Sequence, residues 1–210
     1  MGKNVYMDRV TPVFPTTYFG SIQYFKELSQ YERVIIESKS HYLKQTYRNR
    51  CDIPSANGVL SLSIPVERPN GSKTIIDQVL ISDDENWRAR HWRSIKSAYQ
   101  SAPFFDYYGM EVEELLHREE MNILKFNQLI LERMVQWLDL SIDFSFSDEF
   151  SPPIKEDPRD ILVSKQKKPI YTISPYIQVF PSEQGYNERI SMLDAIMCIG
   201  PMARNLIIPR

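Results

Sequence analysis

The sequence predicts an α+β fold, a mainly antiparallel sheet from the N-terminal half packed against helices from the middle and C-terminal region. Three observations predict it. Strand-like runs fall before residue 82, helical periodicity dominates after it, and Asn57-Gly58 sits between two β-prone runs as a hairpin signal. Strands followed by helices favour α+β over an alternating, doubly wound sheet.

The elements follow in order. Thr11 to Phe19 is rich in Pro, Thr and aromatics, and Pro12 and Pro15 keep it extended. Ser21 to Tyr31 is helical, with Ile22, Phe25 and Leu28 on one face. Arg33 to Glu37 carries Val34, Ile35 and Ile36 as a short buried strand. Lys44 to Ile53 and Val59 to Glu67 read as the two arms of the hairpin, the second with Leu60, Leu62, Ile64 and Val66 on one face. Thr74 to Ile81 reads as a third strand. Ser82-Asp83-Asp84-Glu85 opens a helix that Ala102-Pro103 stops, with Trp92, Ile95 and Tyr99 as its apolar stripe. A longer helix is expected from Val112 to Leu138, apolar around more than half its circumference. Ile173 to Phe180 reads as a strand, and Ser191 to Asn205 as a helix interrupted at Gly200-Pro201.

Residues 1–150 are thus expected to form the α+β core. Residues 151–171, with Pro152, Pro153, Pro158, Pro169 and the basic run from Lys165 to Lys168, read as a linker or mobile loop. Residues 172–210 form a strand-helix extension on the same domain.

Composition narrows the function. The chain has 210 residues, 25 Lys plus Arg against 27 Asp plus Glu, and a formal charge of -2. That balance gives no bulk attraction to nucleic acid, although the Tyr and Arg interleaved at 42–50 would suit base stacking. Cys51 and Cys198 match no metal-ligand spacing, so neither a disulfide framework nor a metal site is expected. The first residues lack an apolar signal region, and no run approaches the ~20 apolar residues of a membrane span. A cytoplasmic protein is expected, with no cofactor motif. Its oligomeric state is not written in the sequence. There is no Gly-rich phosphate loop, HExxH or nucleophile elbow.

Two stretches carry the candidate site. In the first, Lys44, Gln45, Thr46, Tyr47, Arg48, Asn49 and Arg50, polar residues alternate with polar residues. Read as a strand, it puts Lys44, Arg48 and Arg50 on one face and Gln45, Tyr47 and Asn49 on the other. Two unpaired guanidinium groups are expensive to bury, so that face meets solvent, carboxylates or an anionic ligand. A cleft that binds a small anionic or sugar-derived molecule stands against a plain solvated face crossed by salt bridges. The second stretch, Trp87 to Tyr99, offers Trp92, Arg93, Lys96 and Tyr99 as ligand contacts. His91 borders its apolar stripe, as a general base or as a satisfied structural histidine. His41, just before the basic stretch, is the second candidate base. His117 and the acidic residues at helix starts read as structural.

Several segments together resemble the WbqC-like family. They are Pro15-Thr16-Thr17-Tyr18-Phe19 through Tyr24-Phe25, Tyr42 through Arg50, Asn57-Gly58, His91-Trp92-Arg93-Ser94-Ile95 with Ala98-Tyr99, and Ala102-Pro103-Phe104-Phe105. Tyr176 through Phe180 and Leu193-Asp194 with Gly200-Pro201 complete the set. The chain departs from the family where members often carry a Gln ahead of a Pro-Tyr-Pro-like stretch; here Thr11-Pro12-Val13-Phe14-Pro15 stands instead. The resemblance implies a role in surface-polysaccharide (O-antigen type) synthesis, with transfer of an aminoacyl or acyl group to a sugar as the suggested reaction. It brings no catalytic residues. The alternative is a non-catalytic binding or assembly protein that recognises a glycan, a peptide or a protein.

Overall fold

The computed structural model describes residues 11–82, 86–153, 157–161, 169–181 and 190–208. It is an α+β structure in which the sheets are small and the first is parallel. Strand β1 (Val13–Phe14), helix α1 (Ile22–Leu28) and strand β2 (Arg33–Ile36) form a parallel crossover unit. Ser21 caps α1 by accepting from the Tyr24 N–H. Short as it is, β1 is tolerated between two prolines because it lies at the sheet edge, where Pro12 contributes a carbonyl to Ile35 N–H at 2.9 Å. Strand β7 (Asp143–Phe146) pairs in parallel with the other side of β2, giving the order β1-β2-β7. Among the described residues the expected antiparallel character is carried by a few isolated bridges and by two two-stranded pairs. One is the hairpin of β3 (Arg50–Ser55) and β4 (Gly58–Ser63), and the other joins β5 (Val66–Glu67) to β6 (Leu80–Ile81).

The hairpin turns at Ala56-Asn57, and Gly58, at φ 98, takes the left-handed conformation the turn requires. The first arm is shorter than expected. Residues 44–49 are turns, with Gln45 left-handed at φ 56 and the Thr46 hydroxyl donating to the Leu43 carbonyl at 2.9 Å. The second arm buries Leu62 and Ile64 but leaves Leu60 37% exposed. Thr74 to Ile81 holds a 3-10 turn at Ile76–Gln78 before the two residues of β6.

Helix α2 (Trp87–Tyr99) follows; the acidic residues expected to start it, 83–85, lie outside the described residues. The long helix expected from Val112 is two helices, α3 (Phe105–Leu116) and α4 (Ile123–Trp137). Arg88 terminates α3 by donating to the carbonyls of Leu116 at 2.7 Å and Arg118 at 2.8 Å, and Asn122 caps α4 by accepting from Lys125 N–H. In the proline-rich stretch, Asp157 accepts from the Arg159 N–H at 2.8 Å and opens the short helix α5 (Pro158–Ile161), with Pro at its first position. The basic run 165–168 lies outside the described residues. Residues 172–178, expected as part of a strand, form neither strand nor helix. Ser191 caps α6 (Met192–Ile199), and Gly200 passes the chain into a 3-10 turn. The core gathers α1, α2, α4 and α6 around Tyr18, Phe25, Trp87, Tyr99 and Phe126, all essentially without solvent exposure.

Candidate functional site

At the end of β2, Glu37 is 1% exposed, and its carboxylate is fully engaged. Oε1 accepts from the backbone N–H groups of Lys39 at 2.7 Å and Ser40 at 3.0 Å and from the Ser147 hydroxyl at 3.1 Å. Oε2 accepts from Arg159 Nη1 at 2.7 Å. These bonds fold residues 37–40 into a turn, join them to the end of β7 and anchor α5 beside them. Arg159 also binds both oxygens of Asp157, and its Nη1 reaches the Ser151 carbonyl at 2.7 Å. The result is a buried ion-pair cluster, with side-chain exposures of 6% or less. Each charge in it is hydrogen-bonded, as burial demands.

Arg48 differs. It is 7% exposed, yet among the described residues its guanidinium makes no hydrogen bond and no ion pair. Burial pushes its pKa down, and the negative charge of Glu37 works against that shift without touching it. Arg48 lines a cavity of about 450 Å³ together with Lys39, Ser40, His41, Leu43, Ile75, Phe150, Pro153 and Arg159. The backbone that aims it inward is the turn at 44–49. Asn127 of α4 fixes that turn from below, donating to the Arg48 carbonyl at 2.8 Å and to Thr16 Oγ1 at 3.1 Å.

His41 lies on this cavity, in a bridge with Ile75. Its Nδ1 stands 3.1 Å from the Lys73 carbonyl oxygen. A carbonyl only accepts, so Nδ1 carries the proton and the neutral ring keeps its lone pair on Nε2. Lys39 is held by Asp77 at 2.8 Å. Leu43 and Phe150 line the same cavity while remaining 53% and 54% exposed.

The other sequence candidates are distributed differently. Arg50 enters β3, and its Nε donates to the Ser63 hydroxyl at 3.4 Å, so the turn separates it from Arg48. Lys44 and Gln45 are exposed. Tyr47 donates to Asp52 at 3.4 Å, and Asn49 donates to the Ile64 carbonyl at 2.8 Å, tying the turn to the end of the hairpin. His91 is 5% exposed, and Nδ1 lies 2.8 Å from the Tyr18 hydroxyl, within a cage of Trp87 and Tyr18 rings. Burial pushes its pKa down to about 4. Trp92 stacks on Phe105 at 6.0 Å, Lys96 is exposed, and Tyr99 is fully buried beside Asp194. Arg93 lines a second, open cleft of about 430 Å³ with Arg90, Ser94, Ser97 and Phe180. The structure therefore brings Arg48 and His41 to one cavity and places His91 and Arg93 elsewhere.

Sequence reasoning missed Glu37, Lys39 and Arg159. The available signal was Asp157-Pro158, a cap followed by proline at the first helical position, which marks an ordered helix start inside a stretch that otherwise reads as linker. Neither cysteine is poised for chemistry. Burial raises both thiol pKa values, that of Cys198 to about 12. Among the described residues no three His, Cys, Asp or Glu side chains converge as metal ligands, and no helix is long and apolar enough to cross a membrane.

Comparison with known proteins places the chain. It is 25% identical over 119 residues to the uncharacterised protein Rv1507c of Mycobacterium tuberculosis, which covers 56% of this chain. The chain spans about half, 51%, of that relative's length. No solved structure matches. Residues 16–175, which include the hairpin, α2 to α4, β7 and the Arg48 cavity, match the WbqC-like protein family, and the chain belongs to that family.

Proposed function

We propose that this protein binds a small anionic, sugar-derived molecule in the Arg48 cavity and acts on it in surface-polysaccharide synthesis, transferring an acyl or aminoacyl group to a sugar in the cytoplasm. The observation that carries the reading is Arg48 itself. A cation this deeply buried, with no hydrogen-bond partner among the described residues, is costly, and an anion entering the cavity would supply an acceptor. His41 has the chemistry of the general base. Its Nδ1–H is oriented by the Lys73 carbonyl, and Nε2 is free to take a proton from an attacking hydroxyl or amine. Leu43, Ile75, Phe150 and Pro153 offer apolar surface to the unreactive face of a sugar ring or to an acyl chain. Family membership supports the glycan context.

The test is a thermal-shift screen with nucleotide sugars, sugar phosphates, sugar acids and aminoacyl donors, since a bound ligand raises the melting temperature by mass action. A hit that Arg48→Ala abolishes, with the fold intact by circular dichroism, supports the site. Unchanged affinity in Arg48→Ala rules it out. His41→Gln separates the two roles: a transferase loses turnover and keeps binding, whereas a non-catalytic binding protein loses neither.

A further inference from the structure

We infer that the anion this cavity takes is a single carboxylate and not a phosphate monoester, an inference that rests on the Arg48 site proposed above. The argument is one of charge and hydrogen-bond supply. Among the described residues three cations border the cavity, and two are already paired with carboxylates. Arg159 is consumed by Asp157, Glu37 and the Ser151 carbonyl, and Lys39 by Asp77. Glu37 and Asp157 thus pair with Arg159, Asp77 pairs with Lys39, Glu37 offsets Arg48 only from a distance, and Asp148 adds further negative potential at Lys39. What remains among the described lining residues is one guanidinium fork and the Ser40 hydroxyl.

A carboxylate matches such a fork with two parallel N–H···O bonds and brings one negative charge. A phosphate monoester carries close to two charges above pH 7, with a second pKa near 6, and three acceptor oxygens. Its second charge would meet no unpaired cation among the described lining residues, and it would sit near Glu37. The rest of the lining sharpens the difference. Leu43, Ile75, Phe150 and Pro153 supply no donors, so beyond Arg48 the lining offers chiefly the Ser40 hydroxyl, which is buried without a hydrogen-bond partner and can serve one further oxygen. Sites built for phosphate instead gather several backbone N–H groups at a helix start or a glycine-rich loop. Here the nearby N–H groups of Lys39 and Ser40 are already committed to Glu37.

Carboxylates of this kind come from two sources: a sugar acid whose ring lies on the apolar wall, or an acyl or aryl acid whose body fills it. Both are tested together by isothermal titration calorimetry on the full chain at pH 8, with matched pairs of probes. The sugar pair is glucuronate and glucose 6-phosphate; the apolar pair is phenylacetate and phenyl phosphate. In at least one pair the carboxylate is expected to bind about tenfold or more tightly than its phosphate partner. Arg48→Lys, which keeps the charge and loses the fork, is expected to abolish that preference while retaining its circular dichroism spectrum. The pair with the tighter carboxylate identifies the source. A phosphate that binds as tightly as its carboxylate partner, through Arg48, overturns this inference and leaves the site standing. If no probe of either kind binds, the site reading and the inference fall together.

Discussion

Arg159 donates through Nη1 to Glu37 Oε2 at 2.7 Å, and the two side chains are 6% and 1% exposed although 122 residues separate them in sequence. This contact ties α5 to the end of the parallel sheet. Removing one partner of a buried pair strands the other charge, at a cost of about 3–5 kcal/mol. Glu37→Gln is expected to lose that much in urea unfolding, because among the described residues Arg159 keeps only Asp157 as a carboxylate partner and Arg48 loses the carboxylate that offsets it. A loss below about 1 kcal/mol would mean that water reaches the pair.

Arg48 should behave in the opposite way. Replacing a buried ionic group by an apolar one of similar volume is often neutral, or stabilising by about 1–4 kcal/mol. Arg48→Met is therefore expected to raise the urea midpoint or leave it unchanged while ligand binding is lost, as at other sites where function opposes stability. The double variant Glu37→Gln/Arg48→Met should be less unstable than the two single effects summed, because the cation that Glu37 offsets is gone. A large stability loss in Arg48→Met alone would make Arg48 a structural residue.

His91 sets a pH dependence. Its pKa falls from the usual 6.5 to about 4 in the folded chain, through burial first, with Arg90 adding to the fall and a Ser63 backbone hydrogen bond resisting it. Between those values the unfolded chain binds a proton that the folded chain refuses. Stability is thus complete above about pH 6.5 and declines as pH drops toward 4. The shift corresponds to about 3 kcal/mol across that window. His91→Phe should flatten the curve there, whatever its effect at pH 8, and urea unfolding at half-unit steps of pH would show it.

Gly200 closes α6 at φ 55, and a Cβ added there would overlap the Phe104 ring. Gly200→Ala combines left-handed strain with that collision, and a loss of about 2 kcal/mol or more is expected. Gly200→Ala/Phe104→Leu should recover part of it by freeing the space, though not the part due to backbone strain. Differential scanning calorimetry of the three proteins separates the two contributions.

Much of the fold was legible where side-chain periodicity was strong: α1, the hairpin around Asn57-Gly58, α2 and the α6 break at Gly200 stand close to where the sequence puts them. The parallel sheet was not, because its strands are two and four residues long, too short for alternation to register. The α3–α4 break was hidden by apolar residues that continue in helical phase across both. What ends α3 is the Arg88 guanidinium, an end set by tertiary contact. In the candidate site, polarity on both faces of 44–50 singled out Arg48 as a residue needing a partner. It could not separate Arg48 from Arg50, because a strand and a turn are equally consistent with a run of polar residues. The left-handed Gln45 makes the difference.

The stretch matching the family ends at residue 175, yet Met192, Leu193, Asp194, Ala195 and Met197 in α6 have no solvent exposure at all. The segment is sewn in by Ser191 N–H to the Asp52 carbonyl, Ser191 Oγ to the Phe19 carbonyl, Met192 N–H to the Gly20 carbonyl and Phe104 N–H to the Met197 carbonyl. A fragment trimmed to the shared family boundary would therefore be an unplugged shell, with Ile22, Phe25 and Tyr99 laid bare. A premature stop codon late in the reading frame should yield inclusion bodies or proteolytic debris, and its damage would rival that of a lesion in the middle of the gene.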